Sequence, residues 1–256
     1  MISILTPTYN RAHTLSALFE SLKVQSVPFE WIVIDDGSSD GTTEIVNSFK
    51  STATFPIIYT FQPNGGKHSA LNRGSQIAKG EWIFIVDSDD TLTADALSLV
   101  VNTSYNLPLG VLGFAFRRMH SNGNIIGKMI NVNDPMELTP TQASSLFSGD
   151  LAYIFRKETL QKHPFPIIKN ELFVPELYIW NKISDSGKII YFPSKAIYIT
   201  EYLEDGYSKN FKQNLKRNPQ GFALFYRDQF FRETSPIQKI KNAIRYLQCL
   251  YYEIIQ

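Results

Sequence analysis

Cysteine is all but missing from this sequence. The 256-residue chain has one, Cys249. An internal disulfide and a thiolate metal cluster are therefore excluded, and Cys249 reads, in its apolar setting, as a small packing residue. Long apolar runs are missing too; none reaches the ~20 residues that a spanning helix needs. Met1-Ile2-Ser3-Ile4-Leu5 has no basic stretch and runs straight into a core-type strand, so no secretory leader is read there and a cytoplasmic protein is expected. Charge of one sign is scarce: 25 Lys+Arg against 24 Asp+Glu leave +1. That argues against a dedicated nucleic-acid binder, which carries a basic excess. Repeats and low-complexity segments are absent. With 43% hydrophobic residues, the chain can close one substantial core.

The first hundred residues alternate strand and helix signals. Ile2 to Thr6 is a short apolar run bounded by Pro7. Leu15, Leu18, Phe19 and Leu22 follow at the spacing of an amphipathic helix. Trp31 to Ile34 reads as a second buried strand, with a helix from about Thr42 to Phe49. Pro56 to Phe61 is a third strand, followed by a helix over Lys67 to Ala78 that Gly80 ends. Trp82 to Val86 is a fourth. Repeated strand–helix–strand units imply right-handed crossovers and a mainly parallel sheet, whose ligands sit beyond the carboxyl ends of the strands. Polar clusters follow each of the four: Pro7 to Arg11, Asp35 to Asp40, Asn64 to His68, and Asp87 to Asp90. Four chemically loaded loops at one edge point to a site.

Further on, Val111 to Met119 and Asn124 to Ile130 suggest a hairpin around Ser121-Asn122-Gly123. Pro175 to Ser184 reads as a helix, and Ile189 to Phe192 and Ala196 to Thr200 as two strands. After about Gly206 the chain is helical and aromatic, with breaks at Asn218-Pro219 and Ser235-Pro236.

Asp87-Ser88-Asp89-Asp90 is the sharpest motif. Three carboxylates within four residues repel one another and cost stability unless something positive sits among them. Mg²⁺ or Mn²⁺ takes hard oxygen ligands from one or two carboxylates and completes its shell with substrate phosphates. A solvated acidic loop that caps the next helix is the plainer alternative. Asp35 to Thr42 can be a simple helix start, yet that leaves the adjacent Asp35 and Asp36 unexplained, where one carboxylate could accept from a nucleobase N–H. Asn64-Gly65-Gly66 offers backbone N–H groups at a helix's positive end, with Lys67 and His68 as further donors.

Pro7 to Arg11, Asp35 to Thr42, Asn64-Gly65-Gly66 with Asn72, and Asp87 to Asp90, in this order and spacing, resemble the family 2 glycosyltransferases. The resemblance is strong over about residues 1–100 and weaker to about 208. It implies the GT-A fold: an α/β architecture with a central mixed, mainly parallel sheet flanked by helices, and here a C-terminal helical extension. The catalytic domain would span 1–208, with a nucleotide-sugar half over 1–100 and an acceptor half over 101–208, leaving 209–256 to the extension. The implied reaction is metal-dependent, inverting transfer of a sugar from a nucleotide-diphosphate donor, UDP-linked by expectation, to a glycan or lipid-linked acceptor in surface-polysaccharide or lipid-linked glycan synthesis.

Residue by residue, the resemblance sets Thr6, Pro7, Thr8 and Tyr9 along the nucleotide pocket and lets Asp36 accept from the base. Asn64, Gly66, Lys67 and Asn72 would belong to the donor site through the third loop. Asp87 and Ser88 would face the ribose and donor, and Asp89 would hold the Mn²⁺ or Mg²⁺. Which of Asp87, Asp89 and Asp90 binds the metal directly is left open. Leu71 stands where many relatives carry arginine, so Lys67, His68 or Arg73 must supply the positive charge.

Inverting transfer needs a carboxylate that takes the acceptor hydroxyl's proton. The family places it in a Glu-Asp pair at a helix start, and here Pro175-Glu176 takes that place. Glu176 is the candidate base, with Glu171 in reserve. Glu201 to Ser208 reads either as a flap over the diphosphate or as a plain connection. Ile237, Ile240, Ile244, Leu247, Leu250 and Tyr251 form a helical stripe with Lys239, Lys241 and Arg245 nearby. Such a helix can rest on an anionic membrane, at the inner face of the plasma membrane, or pack on the catalytic domain or a second subunit; packing is favoured. Two rival functions remain. A nucleotidyltransferase would show a glycine-rich basic loop after its first strand, which Pro7 to Arg11 is not. A non-catalytic sugar-nucleotide or glycan binder would need neither Asp89 nor Glu176.

Overall fold

The computed structural model describes residues 1–131, 134–200 and 210–255; the stretch 201–208, read above as a flap or a connection, lies outside them. β1 (Ile2–Thr8) and β2 (Phe29–Asp35) are buried at every position, as strands covered on both faces must be. Between them α1 (Ala12–Lys23) turns Leu15, Leu18, Phe19 and Leu22 inward. α2 (Thr42–Thr52) buries Val46 and Phe49 and leads to β3 (Ile57–Phe61), and α3 (Lys67–Ile77) leads to β4 (Trp82–Ile85). The order β3-β2-β1-β4 is parallel throughout, so four loops leave the sheet at one edge.

The chain continues through β5 (Thr91–Leu92), α4 (Ala96–Tyr105), β6 (Val111–Met119), β7 (Met136–Glu137), α5 (Pro140–Phe147), β8 (Leu151–Arg156), α6 (Lys157–Lys162), α7 (Glu176–Ser184) and β9 (Lys188–Ile199). The full sheet runs β3-β2-β1-β4-β8-β6-β9-β5, with β7 on β9. β8 is antiparallel to both β4 and β6. Two reversals cancel, so β6 points the same way as β4. Its last residues, Arg117, Arg118 and Met119, therefore arrive at the edge where β4 ends.

Apolar side chains pack on both faces of the sheet. One cluster sets Leu18, Phe19, Val46, Leu97 and Val100 against Trp31 and Phe84; the other sets Leu71, Phe147, Ile179, Trp180 and Ile183 against Ile32, Ile83 and Phe155. A third, smaller cluster joins α8 (Phe211–Arg217), α9 (Pro219–Arg232) and α10 (Pro236–Ile254) through Leu215, Phe222, Tyr226 and the buried Cys249.

Two expectations change here. The return arm of the hairpin, Asn124 to Ile130, is not a strand: a single bridge joins Met119 to Ile125, and Gly127 then takes φ +87°. The carbonyls of Ile126 and Lys128 accept instead from the Arg117 guanidinium, at 2.7 and 3.0 Å. The two strands read after Ile189 are one strand, β9. Phe192 pairs with Phe116 and Ala196 with Arg117, so the intervening residues, Pro193 among them, bulge out of the ladder. Proline has no N–H to give there.

Candidate functional site

The first two loops are tied to each other. Asn10, at φ +52°, accepts from the Ser39 N–H with its side chain at 2.8 Å, and its own N–H donates to Ser38 Oγ at 2.9 Å. Asp40 reaches the start of α1 by accepting from the Ala12 N–H at 3.1 Å. Thr6, Pro7 and Thr8 are the last three residues of β1, all buried, and Tyr9 is half exposed at the rim. The Thr6 hydroxyl is taken up inside, accepting from the Trp31 indole at 3.0 Å. The buried Thr8 hydroxyl has no partner among the described residues.

Asp35 and Asp36 organise the second and third loops. Asp35 accepts from the Ser38 N–H at 2.8 Å and the Tyr59 hydroxyl at 2.6 Å. Burial, aided by Asp35, pushes that hydroxyl's pKa up to about 12. Asp36 accepts from Gln62 Nε2 at 2.7 Å, the Gly65 N–H at 2.9 Å and the Gly66 N–H at 2.7 Å. The third loop is thus wrapped around a carboxylate. Gly66 takes φ +85° and lies so close to the Leu172 carbonyl that a Cβ would collide with it. Only glycine fits. Asn64 is exposed beside this turn. Asn72 faces elsewhere, its amide pairing with the Phe165 carbonyl and N–H, both at 2.8 Å.

Lys67, the first residue of α3, is the hub. Its Nζ lies 2.5 Å from Asp87 Oδ1 and 2.7 Å from Glu176 Oε1. Burial alone would lower the ammonium's pKa, but the two carboxylates outweigh it and raise it well above the usual lysine value. On the other side, Arg118 Nη1 stands 3.5 Å from Asp87 and 3.2 Å from Asp90, with its guanidinium 4.0 Å from the Tyr198 ring centroid. Tyr198 in turn accepts from the Asp87 N–H at 2.8 Å.

The turn after β4 therefore sets its three carboxylates in different surroundings. Burial disfavours the charge on Asp87, yet Lys67 and Arg118 overcome this and bring its pKa down to about 2. Asp90 is driven up to about 7 by burial and by Asp87, against the pull of Arg118. Asp89 is raised by burial, then by Asp87, against the pull of Arg11 and Lys67. Ser88 is buried between them. Among the described residues no three His, Cys, Asp or Glu side chains come together to hold an ion by themselves. One open, half-buried carboxylate still suits a hard cation whose shell is completed by substrate phosphates, so Asp89 fits Mn²⁺ or Mg²⁺.

Glu176 opens α7 and points at this cluster. Glu171 does not; it is buried and accepts from the Gln220 and Gly221 N–H groups at 2.7 and 2.8 Å, at the start of α9. Asn218 adds a bond to the Leu172 N–H at 2.7 Å. The loop that delivers Glu176 is thus anchored to the C-terminal helices on one side and to Gly66 on the other. Of the three cations weighed for the Leu71 position, Lys67 reaches the acidic turn, Arg73 is exposed, and His68 is buried, its pKa lowered by that burial against the pull of Asp36. Sequence reasoning missed Arg118. The available signal was two adjacent arginines inside the apolar strand 111–119, since buried guanidinium groups need partners.

Comparison with known proteins gives the following. The model of the family described as "Glycosyl transferase family 2" matches residues 3–171. An uncharacterized glycosyltransferase of Mycoplasma pneumoniae is 35% identical over 106 residues, 40% of this chain and 36% of the relative. The chain thus spans little more than a third of that relative's length. The crystal structure of Staphylococcus aureus TarS 1-349 in complex with UDP-GlcNAc superposes with a TM-score of 0.70 at 19% identity, covering 98% of this chain and 72% of that one. The mannosyltransferase PcManGT of Pyrobaculum calidifontis, in complex with GDP-Man and Mn²⁺, gives a TM-score of 0.64 at 19% identity, over 98% and 73%.

Proposed function

The chain belongs to glycosyl transferase family 2 and has the GT-A fold, and on that premise we propose that it transfers a sugar from a UDP-linked donor to an acceptor hydroxyl with inversion. The acceptor we assign is a growing surface polysaccharide or a lipid-linked glycan. The observation that carries the reading is the Lys67 bridge, which joins the acidic turn after β4 to the head of α7.

The geometry supports one division of labour. Tyr9 and the ends of β1 and β2 form one wall for the nucleoside, and the Asp87 turn forms the floor beneath the diphosphate. Asp89, with the donor's phosphates, would hold Mn²⁺ or Mg²⁺, which supplies positive charge against the departing diphosphate. Lys67 stands where the diphosphate arrives, and exchanging one carboxylate for a phosphate oxygen uncovers Glu176. Glu176 then takes the acceptor hydroxyl's proton while that oxygen bonds to the anomeric carbon. The bond from that carbon to the diphosphate breaks on the opposite face, and its electron pair leaves with UDP.

The test is release of UDP from a panel of UDP-sugars, with Mn²⁺ and then with a chelator, alongside GDP-sugars. Metal-dependent UDP release from at least one sugar is expected. A protein that binds nucleotide but releases none, with or without acceptor sugars, would be a binder rather than a transferase.

A further inference from the structure

Tyr153 of β8, Ala115 of β6 and Tyr191 of β9 stand in one row across the sheet. The two outer strands are about 10 Å apart, two strand spacings, and the small Ala115 lets the tyrosine rings lean together over it, to 6.1 Å between centroids. α7 covers the row. Trp180 lies 5.6 Å from the Tyr153 ring and 4.5 Å from the Phe155 ring, and Phe155 stacks on Tyr153 at 5.6 Å. Trp180 follows Glu176 by four residues in α7, so the two side chains share one face of the helix. Phe155, Trp180 and Tyr191 are buried, whereas Tyr153 is only partly so.

The Tyr191 hydroxyl is buried without a hydrogen-bond partner among the described residues, and the polar group that acts on it is the Tyr153 hydroxyl. Its proton turns toward that oxygen, which leaves the Tyr153 proton to point outward. Burial raises the Tyr153 pKa, so the phenol is a donor at any ordinary pH. The charges that reach it are those of Glu176, Asp150 and Arg118, all at the edge where β6 ends and β8 begins. Among the described residues Glu176 itself pairs with Lys67 alone. Once a donor phosphate draws Lys67 away, nothing else named so far would hold the carboxylate, and a general base works only when kept within hydrogen-bond reach of the proton it takes.

We propose that Tyr153 is the positioning residue of Glu176: its hydroxyl donates to one oxygen of the carboxylate when Lys67 lets go, and so aims the other oxygen at the acceptor. The Tyr153 proton stays on its phenol, and the acceptor's proton goes to the second Glu176 oxygen. This rests on the reading of Glu176 as the base.

The experiment is a double-mutant cycle of Tyr153→Phe and Glu176→Gln on the full chain, read as UDP release from a panel of UDP-sugars with Mn²⁺, water serving as the acceptor. Phenylalanine keeps the stack on Trp180 and Phe155, so the urea midpoint should stay near the parent's. Tyr153→Phe should lower kcat about 10- to 100-fold, the worth of a hydrogen bond to a charged group, with donor KM and UDP Kd changed by less than about threefold. In the Glu176→Gln background the same substitution should cost nothing further, because it acts through that carboxylate. A parental kcat in Tyr153→Phe, with Glu176→Gln inactive, overturns the inference and leaves the base assignment standing. Equal fold losses in both backgrounds overturn it as well, since Tyr153 then acts independently of Glu176. A raised KM together with a lowered urea midpoint reduces Tyr153 to a packing residue. Parental release by Glu176→Gln, or none by the parent, removes the reading beneath the inference and the inference with it.

Discussion

The Lys67 ammonium lies 2.7 Å from the Glu176 carboxylate, although α3 and α7 belong to opposite halves of the proposed donor and acceptor regions. An ammonium at that distance occupies the carboxylate oxygen that an incoming hydroxyl would have to reach. The pair is therefore suited to a resting enzyme, and its separation to a loaded one.

Glu176→Gln should cut sugar transfer by about 10²–10⁴-fold, the usual worth of a general base, with UDP affinity changed by less than about threefold. Transfer assays and calorimetry check both numbers. Near-parental transfer by the variant would remove Glu176 from the chemistry.

Arg118→Met leaves Asp87 and Asp90 with one fewer cation in a buried setting. Breaking one side of such a pair costs about 3–5 kcal/mol, so a large fall in the urea midpoint is expected. Asp90→Asn should be mild by comparison, because burial and Asp87 already push the Asp90 carboxyl toward its neutral form. Equal losses in the two variants would show that Arg118 stabilises something other than this turn.

Asp89→Asn should erase the part of UDP's stabilising effect that depends on Mn²⁺. For a ligand at a hundredfold excess over Kd that effect is about 2.7 kcal/mol, easily read as a shift in Tm. The metal assignment moves to Asp87 or Asp90 if the shift survives the substitution.

Gly66→Ala places a methyl group against the Leu172 carbonyl at a left-handed backbone position. A loss of about 1–3 kcal/mol is expected, together with weaker transfer, since the displaced loop carries Glu176. Stability measured by urea unfolding that matches the parent would show that the two loops move apart freely.

The tie between α7 and α9 should be acid-sensitive. Arg232 donates to Asp185 at 2.7 and 2.5 Å, and this bond holds the Asp185 pKa below its usual value. A depressed folded pKa gives stability that is present above the ordinary carboxylate range and is lost as pH falls through the folded value. Asp185→Asn should therefore lower stability at neutral pH and flatten its decline in acid. Parallel pH profiles for parent and variant would contradict this.

Much of the donor half was legible because its logic is local. Leu15, Leu18, Phe19 and Leu22 announce a helix by spacing alone, and strands such as Trp31 to Ile34 end in polar loops, so the shared edge follows from the rule for parallel sheets. The acceptor half depends on long-range pairing. Nothing in Leu151 to Arg156 says that it enters between β4 and β6, and without that strand Arg118 has no address. Spacing also could not reveal that Asn72 turns to Phe165, or that Glu171 serves α9 while Glu176 serves the cluster. Those choices are made by neighbours distant in the chain. The bulge in β9 was read as a break because proline signals the same way in both.

The three donors already on Asp36 restrict what else it can recognise. A carboxylate has about four acceptor positions, so Gln62, Gly65 and Gly66 leave room for about one more N–H. Uracil presents a single imide N–H on its pairing edge, while guanine presents an N–H and an amino group side by side and asks for two acceptors. Were Asp36 to receive the base, uracil would be a better match than guanine for so nearly filled a receptor, and that discrimination would come from scarcity of acceptors rather than from added contacts.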